Sequence, residues 1–187
     1  ARELGITMIV DESFVDFTDD FANNSLLHNH ILEAHSNLVV VKSISKSYGV
    51  PGLRLGVLAS GDKTLIACMK KEVAIWNINS FGEFFLQILG KYEKNYLQAM
   101  DTFRAERLRY VEQLQTIDYL RVIPSEANYV LCEVLAPHTP RELAIHLLKK
   151  ANILIKDCTS KCNAPFIRLA VRDTKDNNTL INALRTL

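Results

Sequence analysis

At residues 38–42 a β-branched apolar run, Leu-Val-Val-Val-Lys, breaks off into Ser43-Ile44-Ser45-Lys46-Ser47-Tyr48-Gly49. No other stretch restricts the fold as much. A short continuous apolar run bounded by turn residues reads as a strand buried on both faces, as in the mostly parallel sheets of α/β proteins. The chain leaves that strand through small hydroxyl residues and one lysine. Eight residues after Lys46 comes Arg54, inside a turn that Pro51-Gly52 opens and Gly56 closes. Upstream, residues 7–10 form a second apolar β-type run, ending in Asp11-Glu12. Open α/β sheets place their ligands at the carboxyl ends of their strands, where Asp11 would stand.

These residue types suit one chemistry in combination. A lysine at a strand end is either a snorkelling surface residue or a nucleophile tuned by its surroundings. An arginine beside serine hydroxyls makes a clamp for phosphate through charge-assisted hydrogen bonds. Lysine and clamp together are the minimal set for pyridoxal phosphate, which needs an amine for its aldehyde and counter-charges for its phosphate. A carboxylate opposite the ring nitrogen keeps that nitrogen protonated. Taken singly, each residue has a plainer reading. Lys46 alone reads as a solvent-facing lysine, and Asp11 as a turn cap for Glu12-Ser13.

The order Ile9-Val10-Asp11-Glu12-Ser13-Phe14-Val15-Asp16-Phe17, then Ser43-x-Ser45-Lys46, then Gly52-Leu53-Arg54-Leu55-Gly56 resembles the fold-type I pyridoxal phosphate enzymes. Within them it is most similar to histidinol-phosphate aminotransferases and threonine-phosphate decarboxylases. The resemblance makes Lys46 the Schiff-base lysine and Asp11 the partner of the pyridine nitrogen, both catalytic. It places Ser43, Ser45 and Arg54 on the phosphate and Phe14 against the cofactor. The aminotransferases usually carry a tyrosine where this chain has Phe14, which packs but has no hydroxyl to donate. The Trp76-x-x-Asn79 pattern leans toward the decarboxylase branch. Arg168, in the apolar run Phe166-Ile167-Arg168-Leu169-Ala170-Val171, matches the arginine that grips the substrate carboxylate, and Asn128-Tyr129 is also similar to the family. A buried arginine needs an anionic partner. The alternative partner for Arg168 is Glu133.

The resulting expectation is an α/β chain holding part of a mostly parallel sheet, over residues 1–90, that forms the cofactor-binding large domain. Residues 91–187 would add a linking helix and a small α+β domain. Along the chain, Ser25 is expected to cap a helix reaching His35, and residues 53–60 to form a strand. Gly61-Asp62 would cap a helix from Lys63 to Val73, and Ser80 with Glu83 a capping box. Behind that box, apolar residues recur at helical period from Phe85 to Leu114, giving a helix of roughly 30 residues with a kink. Strands follow at 119–123, 128–134, 153–156 and 166–171, with a helix from Thr139-Pro140 to Lys150 and a last one opened by Asp173 or Thr174. The family's glycine-rich phosphate loop finds no match in the sequence. The expectation is therefore a carboxyl-terminal portion or a shortened chain.

Composition narrows the function classes. The net charge is +1, with 7 basic and 10 acidic side chains in residues 1–90 against 15 and 11 in 91–187. No basic stripe interleaved with aromatics supports nucleic-acid binding, and no apolar run is long enough to cross a bilayer. Cys68, Cys132, Cys158 and Cys162 read as free thiols of a cytoplasmic protein, and His28, His30 and His35 as solvated. The expected function is a pyridoxal-phosphate-dependent aminotransferase, a homodimer by resemblance, acting on a small amino acid or amino-alcohol phosphate. The alternatives are a lyase similar to threonine-phosphate decarboxylase and a non-catalytic fragment or pseudoenzyme.

Overall fold

The computed structural model describes residues 1–186. Two compact units divide after Met100, one of residues Ala1–Met100 and one from Asp101 onward.

In the first unit a three-stranded sheet runs in the order β1 (Met8–Asp11), β2 (Leu38–Ser43), β3 (Gly56–Ser60). β1 and β2 are parallel, with Asp11 opposite Val41, whereas β3 returns antiparallel with Gly56 opposite Ser43. This partial sheet therefore holds one parallel and one antiparallel pair. β2 is central, and Leu38, Val39 and Val40 are all buried, as a strand covered on both faces requires. Two short helices, α1 (Phe21–Asn24) and α2 (Asn29–Ala34), connect β1 to β2. Ser25 does not cap α2, whose N-cap is His28. Instead its hydroxyl donates to buried Glu12 at 2.8 Å, because a buried carboxylate without donors would cost more than a frayed helix end.

β3 starts at Gly56 rather than Leu53, since Pro51–Leu53 forms a 3-10 turn and Arg54 takes a left-handed conformation. Gly61 lets the chain pass α2, because a Cβ there would lie 2.0 Å from the Leu32 carbonyl oxygen. Helix α3 (Lys63–Glu72) is capped by Asp62, which accepts from the Thr64 and Leu65 amides. Helix α4 (Ser80–Leu89) is capped by Asn79 and not by Ser80, the Asn79 side chain accepting from the Gly82 amide at 2.9 Å. A 3-10 turn at Gly90–Tyr92 separates it from α5 (Glu93–Gln115), so the single long helix expected from the sequence is two, divided at a glycine.

The second unit is an antiparallel sheet in the order β4 (Leu120–Ile123), β5 (Tyr129–Val134), β7 (Phe166–Ala170), β6 (Lys156–Asp157). β6 is shorter and later than the expected 153–156 strand, because the chain leaves helix α6 (Pro140–Ala151) through a left-handed Asn152. Thr139 caps α6, its hydroxyl oxygen accepting from the Glu142 amide and its O–H donating to the Glu142 carboxylate, with Pro140 in the first turn. A four-residue turn of helix, α7 (Thr159–Cys162), precedes β7, and α8 (Thr174–Arg185) is capped by Asp173. Tyr110, Leu114, Val130, Leu147, Ile167 and Leu184 form the centre of one contiguous apolar core. Among the described residues no helix is long and apolar enough to cross a membrane.

Candidate active site

The site is built where β1 and β2 end side by side. Asp11 closes β1, and its Oδ1 accepts from the Ser13 amide at 2.9 Å and the Ser13 hydroxyl at 2.5 Å. The turn-cap role anticipated for Asp11 is therefore real. The same Ser13 hydroxyl oxygen accepts from the Ser43 amide at 3.0 Å, so one side chain joins the carboxylate to the end of the lysine strand. The Ser13 hydroxyl, then its amide, hold the Asp11 carboxyl below the usual range against a small opposing effect of burial, and the Lys46 ammonium adds to the lowering. A carboxylate kept ionised in this way is suited to face a cation.

Beyond β2 the chain turns tightly. The Tyr48 amide donates to the Ile44 carbonyl, Gly49 to Lys46 and Val50 to Ser45, and Gly49 closes the turn with φ 65°. This turn presents Lys46 to solvent with its Nζ 4.8 Å from the centre of the Phe14 ring, a cation–π contact. Ser45 is buried, and its hydroxyl has no hydrogen-bond partner among the described residues. Arg54 adopts φ 56°, ψ 46°, a conformation that costs a non-glycine residue about 1–2 kcal/mol, and donates to the Pro51 carbonyl at 3.1 Å. Asp11, Ser13, Ser43, Arg54 and Gly56 line one open concavity of about 430 Å³. Lys46, Ser45 and Phe14 are not among its lining residues.

These side chains fit pyridoxal phosphate by their chemistry. There is an amine for the aldehyde, a depressed carboxylate for a protonated ring nitrogen, and a guanidinium with serine donors for the phosphate. A buried hydroxyl without a partner, such as that of Ser45, is a group that a ligand oxygen would satisfy.

The second unit places its residues differently from the sequence reading. Arg168 is exposed and not buried, because the two-residue period of β7 sends Ile167 and Leu169 into the core and Arg168 to the opposite face. Its guanidinium lies 5.2 Å from the centre of the Tyr129 ring, while Glu133 pairs with Arg121 instead. Directly opposite Arg168 across the β6–β7 pair is Lys156, which the sequence reading did not single out. Lys156, Arg168 and Arg172 line a pocket of about 470 Å³, where Arg172 is tied to Asp176 at 2.5 Å. Asn128 precedes β5 and is not among the lining residues; its carbonyl accepts from the Val171 amide at 3.0 Å. The two missed residues carried different signals. Ser13 stands two residues after Asp11, the spacing of an Asx turn, whereas Lys156 sits in a strand too short to show a period.

The sequence pattern of the aminotransferase class I and II family matches residues 1–184. The chain is 30% identical to a threonine-phosphate decarboxylase from Salmonella typhimurium, covering 100% of this chain and 50% of that protein. It is also 30% identical to an L-serine phosphate decarboxylase from Sulfurospirillum multivorans, covering 96% of this chain and 47% of that protein. The crystal structure of histidinol-phosphate aminotransferase from Clostridium acetobutylicum superposes with a TM-score of 0.87 at 30% identity, over 98% of this chain and 55% of that one. The chain thus spans about half the length of these relatives.

Proposed function

The chain belongs to the aminotransferase class I and II family, whose members depend on pyridoxal phosphate, and we propose that it carries the lysine half of an enzyme acting on a small phosphorylated amino acid or amine. The observation that supports this most is the link from Asp11 through Ser13 to Ser43, with Arg54 on the same concavity, Ser13 holding the Asp11 carboxyl low and the Lys46 ammonium adding a smaller part of that lowering.

Pyridoxal phosphate, when bound, supplies an electron sink for the pair of electrons left when a bond at the substrate α-carbon breaks. The residues of this chain would do the rest. Lys46 would hold the aldehyde carbon and, once released by the substrate amine, carry a proton to or from the substrate. Asp11 would keep the proton on the ring nitrogen, and Ser43, Ser45 and Arg54 would anchor the phosphate. Phe14 would pack its ring against the site. In the second unit, Arg168 with Lys156 offers two cations for an anionic group of the substrate.

That pair bears on which reaction follows. A carboxylate gripped by two cations is stabilised where it is, which favours transamination. If the pair takes the substrate phosphate, the carboxylate is left free to depart. Transamination is the activity that the family name carries. Two points favour decarboxylation: Phe14 stands where the aminotransferases usually have tyrosine, and two relatives at 30% identity are decarboxylases of serine and threonine phosphate, against one solved aminotransferase at the same identity. The same reading makes the protein a cytoplasmic homodimer, an assembly that would cover exposed apolar residues such as Ile75, Trp76 and Phe81.

The test uses the full-length gene product. Added pyridoxal phosphate should give a visible absorbance band that borohydride bleaches, leaving the cofactor fixed to the peptide containing Lys46. No adduct at Lys46 would overturn the reading in favour of a non-catalytic chain. With O-phosphothreonine or O-phosphoserine, release of carbon dioxide supports the lyase, and formation of a keto acid supports the aminotransferase.

A further inference from the structure

Lys42 and Asp16 form an ion pair at 2.5 Å with side chains only 16% and 10% exposed, 26 residues apart in sequence. We propose that this pair is a positioning device that fixes the Lys46 turn against the Asp11 loop; the functional part of the inference rests on the reading of Lys46 given above.

Asp16 lies in the 3-10 turn Val15–Phe17, two residues beyond Phe14, whose ring carries the Lys46 ammonium. Lys42 lies in β2, one residue before Ser43 and four before Lys46. The ion pair and the Ser13–Ser43 hydrogen bond therefore tie the same two segments at two separate points. They extend the β1–β2 pairing past its last backbone bond, from the Glu12 amide to the Val41 carbonyl at 2.8 Å, and so fix the angle between the segments beyond it. Beneath the turn, Tyr48 stacks on Tyr96 with ring centres 4.1 Å apart, and Phe85 meets Tyr48 edge-on at 6.4 Å. After burial, the Asp16 charge is the next influence raising both phenols.

Stability alone is a weak account of such a pair. Replacing a buried ion pair by apolar residues of similar volume is often neutral or stabilising, because desolvation offsets the Coulomb gain. What a short, buried pair supplies is a defined geometry, and here the geometry is that of the segment bearing the lysine.

The test compares full-length wild type with Asp16→Asn, Asp16→Glu and the double variant Asp16→Leu/Lys42→Met. Amide hydrogen exchange is followed in the cofactor-free proteins at Tyr48, Gly49 and Val50, whose amides close the turn, with β5 and β7 as internal controls. The pyridoxal phosphate dissociation constant is measured on the same samples. In Asp16→Asn, exchange at the three amides should rise about tenfold with the controls unchanged, and cofactor affinity should fall by a similar factor. Asp16→Glu, which keeps the charge, should recover most of both. The double variant leaves no charge unpaired, so it should fold and still show the faster exchange. It decides the matter if Asp16→Asn does not fold. Wild-type exchange in either folded variant overturns the proposal. If wild type makes no adduct at Lys46, the assigned function fails, while the exchange data still decide whether the pair fixes the turn.

Discussion

The two units bury apolar surface in opposite ways. In the second, a contiguous core brings Tyr110, Leu114, Leu147, Ile167 and Leu184 to complete or near-complete burial. In the first, Val40, Phe17, Ile44 and Leu55 are buried around β2, while Ile9, Ile75, Trp76, Phe81 and Phe84 stand largely in solvent. Its candidate site is held by polar links: Asp11–Ser13–Ser43, Asp16–Lys42, and Glu12 with Ser25 and the Leu26 amide. Hydrophobic burial is non-directional and gives most of a domain's stability, whereas buried hydrogen bonds contribute little net energy and fix direction. The second unit is built to persist. The first is built to aim a few groups, and its apolar surface is of the kind that further protein covers.

The largest effect expected breaks the closed core. Leu147→Ala removes a fully buried side chain from α6 and should cost about 3 kcal/mol, read as a lower denaturation midpoint. A loss under about 1 kcal/mol would mean that the core of the second unit is less closed than its burial implies.

A polar tie holds α8 to α5 within that unit. Glu106 accepts from Arg109 Nε at 2.9 Å, from the Thr174 hydroxyl at 2.8 Å and from Nδ2 of buried Asn177 at 2.7 Å. The Arg109 guanidinium first, against the opposing effect of burial, and then Asn177 and Thr174 bring its carboxyl down to about 2 from an ordinary 4.5. Because the folded value is the depressed one, the stabilisation is complete above pH 4.5 and is lost as pH falls toward 2. Glu106→Gln should cost about 2 kcal/mol at neutral pH and flatten the acid limb of the stability curve. An unchanged acid limb would remove Glu106 as its origin.

How much of this was legible in the sequence follows the reach of each interaction. β2 showed itself as a continuous apolar run and β7 through the alternation that burial of one face imposes, and that alternation, applied strictly to Arg168, puts it opposite Ile167 rather than in the core. Caps were half legible. Asp62, Thr139 and Asp173 cap as their residue types suggest, but Ser25 and Ser80 had competitors, Glu12 for the first hydroxyl and Asn79 for the cap of α4. Lys46, Asp11 and Arg54 stood out through a family pattern. Ser13 bridging to Ser43 and Asp16 pairing with Lys42 did not, since the partners are about thirty residues apart and only the parallel pairing of β1 with β2 brings their segments together.

In the first unit, a left-handed backbone and the proposed phosphate contact meet at Arg54. Its left-handed backbone suits asparagine better, as the chain itself shows at Asn152 and Asn163. Arg54→Asn should raise stability by roughly 0.5–1 kcal/mol while weakening pyridoxal phosphate binding about tenfold in the full-length protein. Opposite signs in the two measurements would mark a residue kept for its guanidinium. A loss of stability with unchanged affinity would mark Arg54 as a turn residue bonded to the Pro51 carbonyl and nothing more.

The smallest effect belongs to the exposed surface and sharpens the contrast most. Trp76 is 91% exposed, so Trp76→Ser removes a side chain with few contacts to lose, and the stability of this chain should change by less than about 0.5 kcal/mol. Aggregation should fall, because Trp76 stands with Ile75, Ile78, Phe81 and Phe84 in one apolar segment. Repeating the substitution in the full-length protein separates two origins of that segment. A loss there of about 2 kcal/mol, absent from this chain, would show that the indole is buried by protein outside these residues. An equally small change in both would make the apolar segment a free surface. The comparison between the units would then be one of solubility and not of completeness.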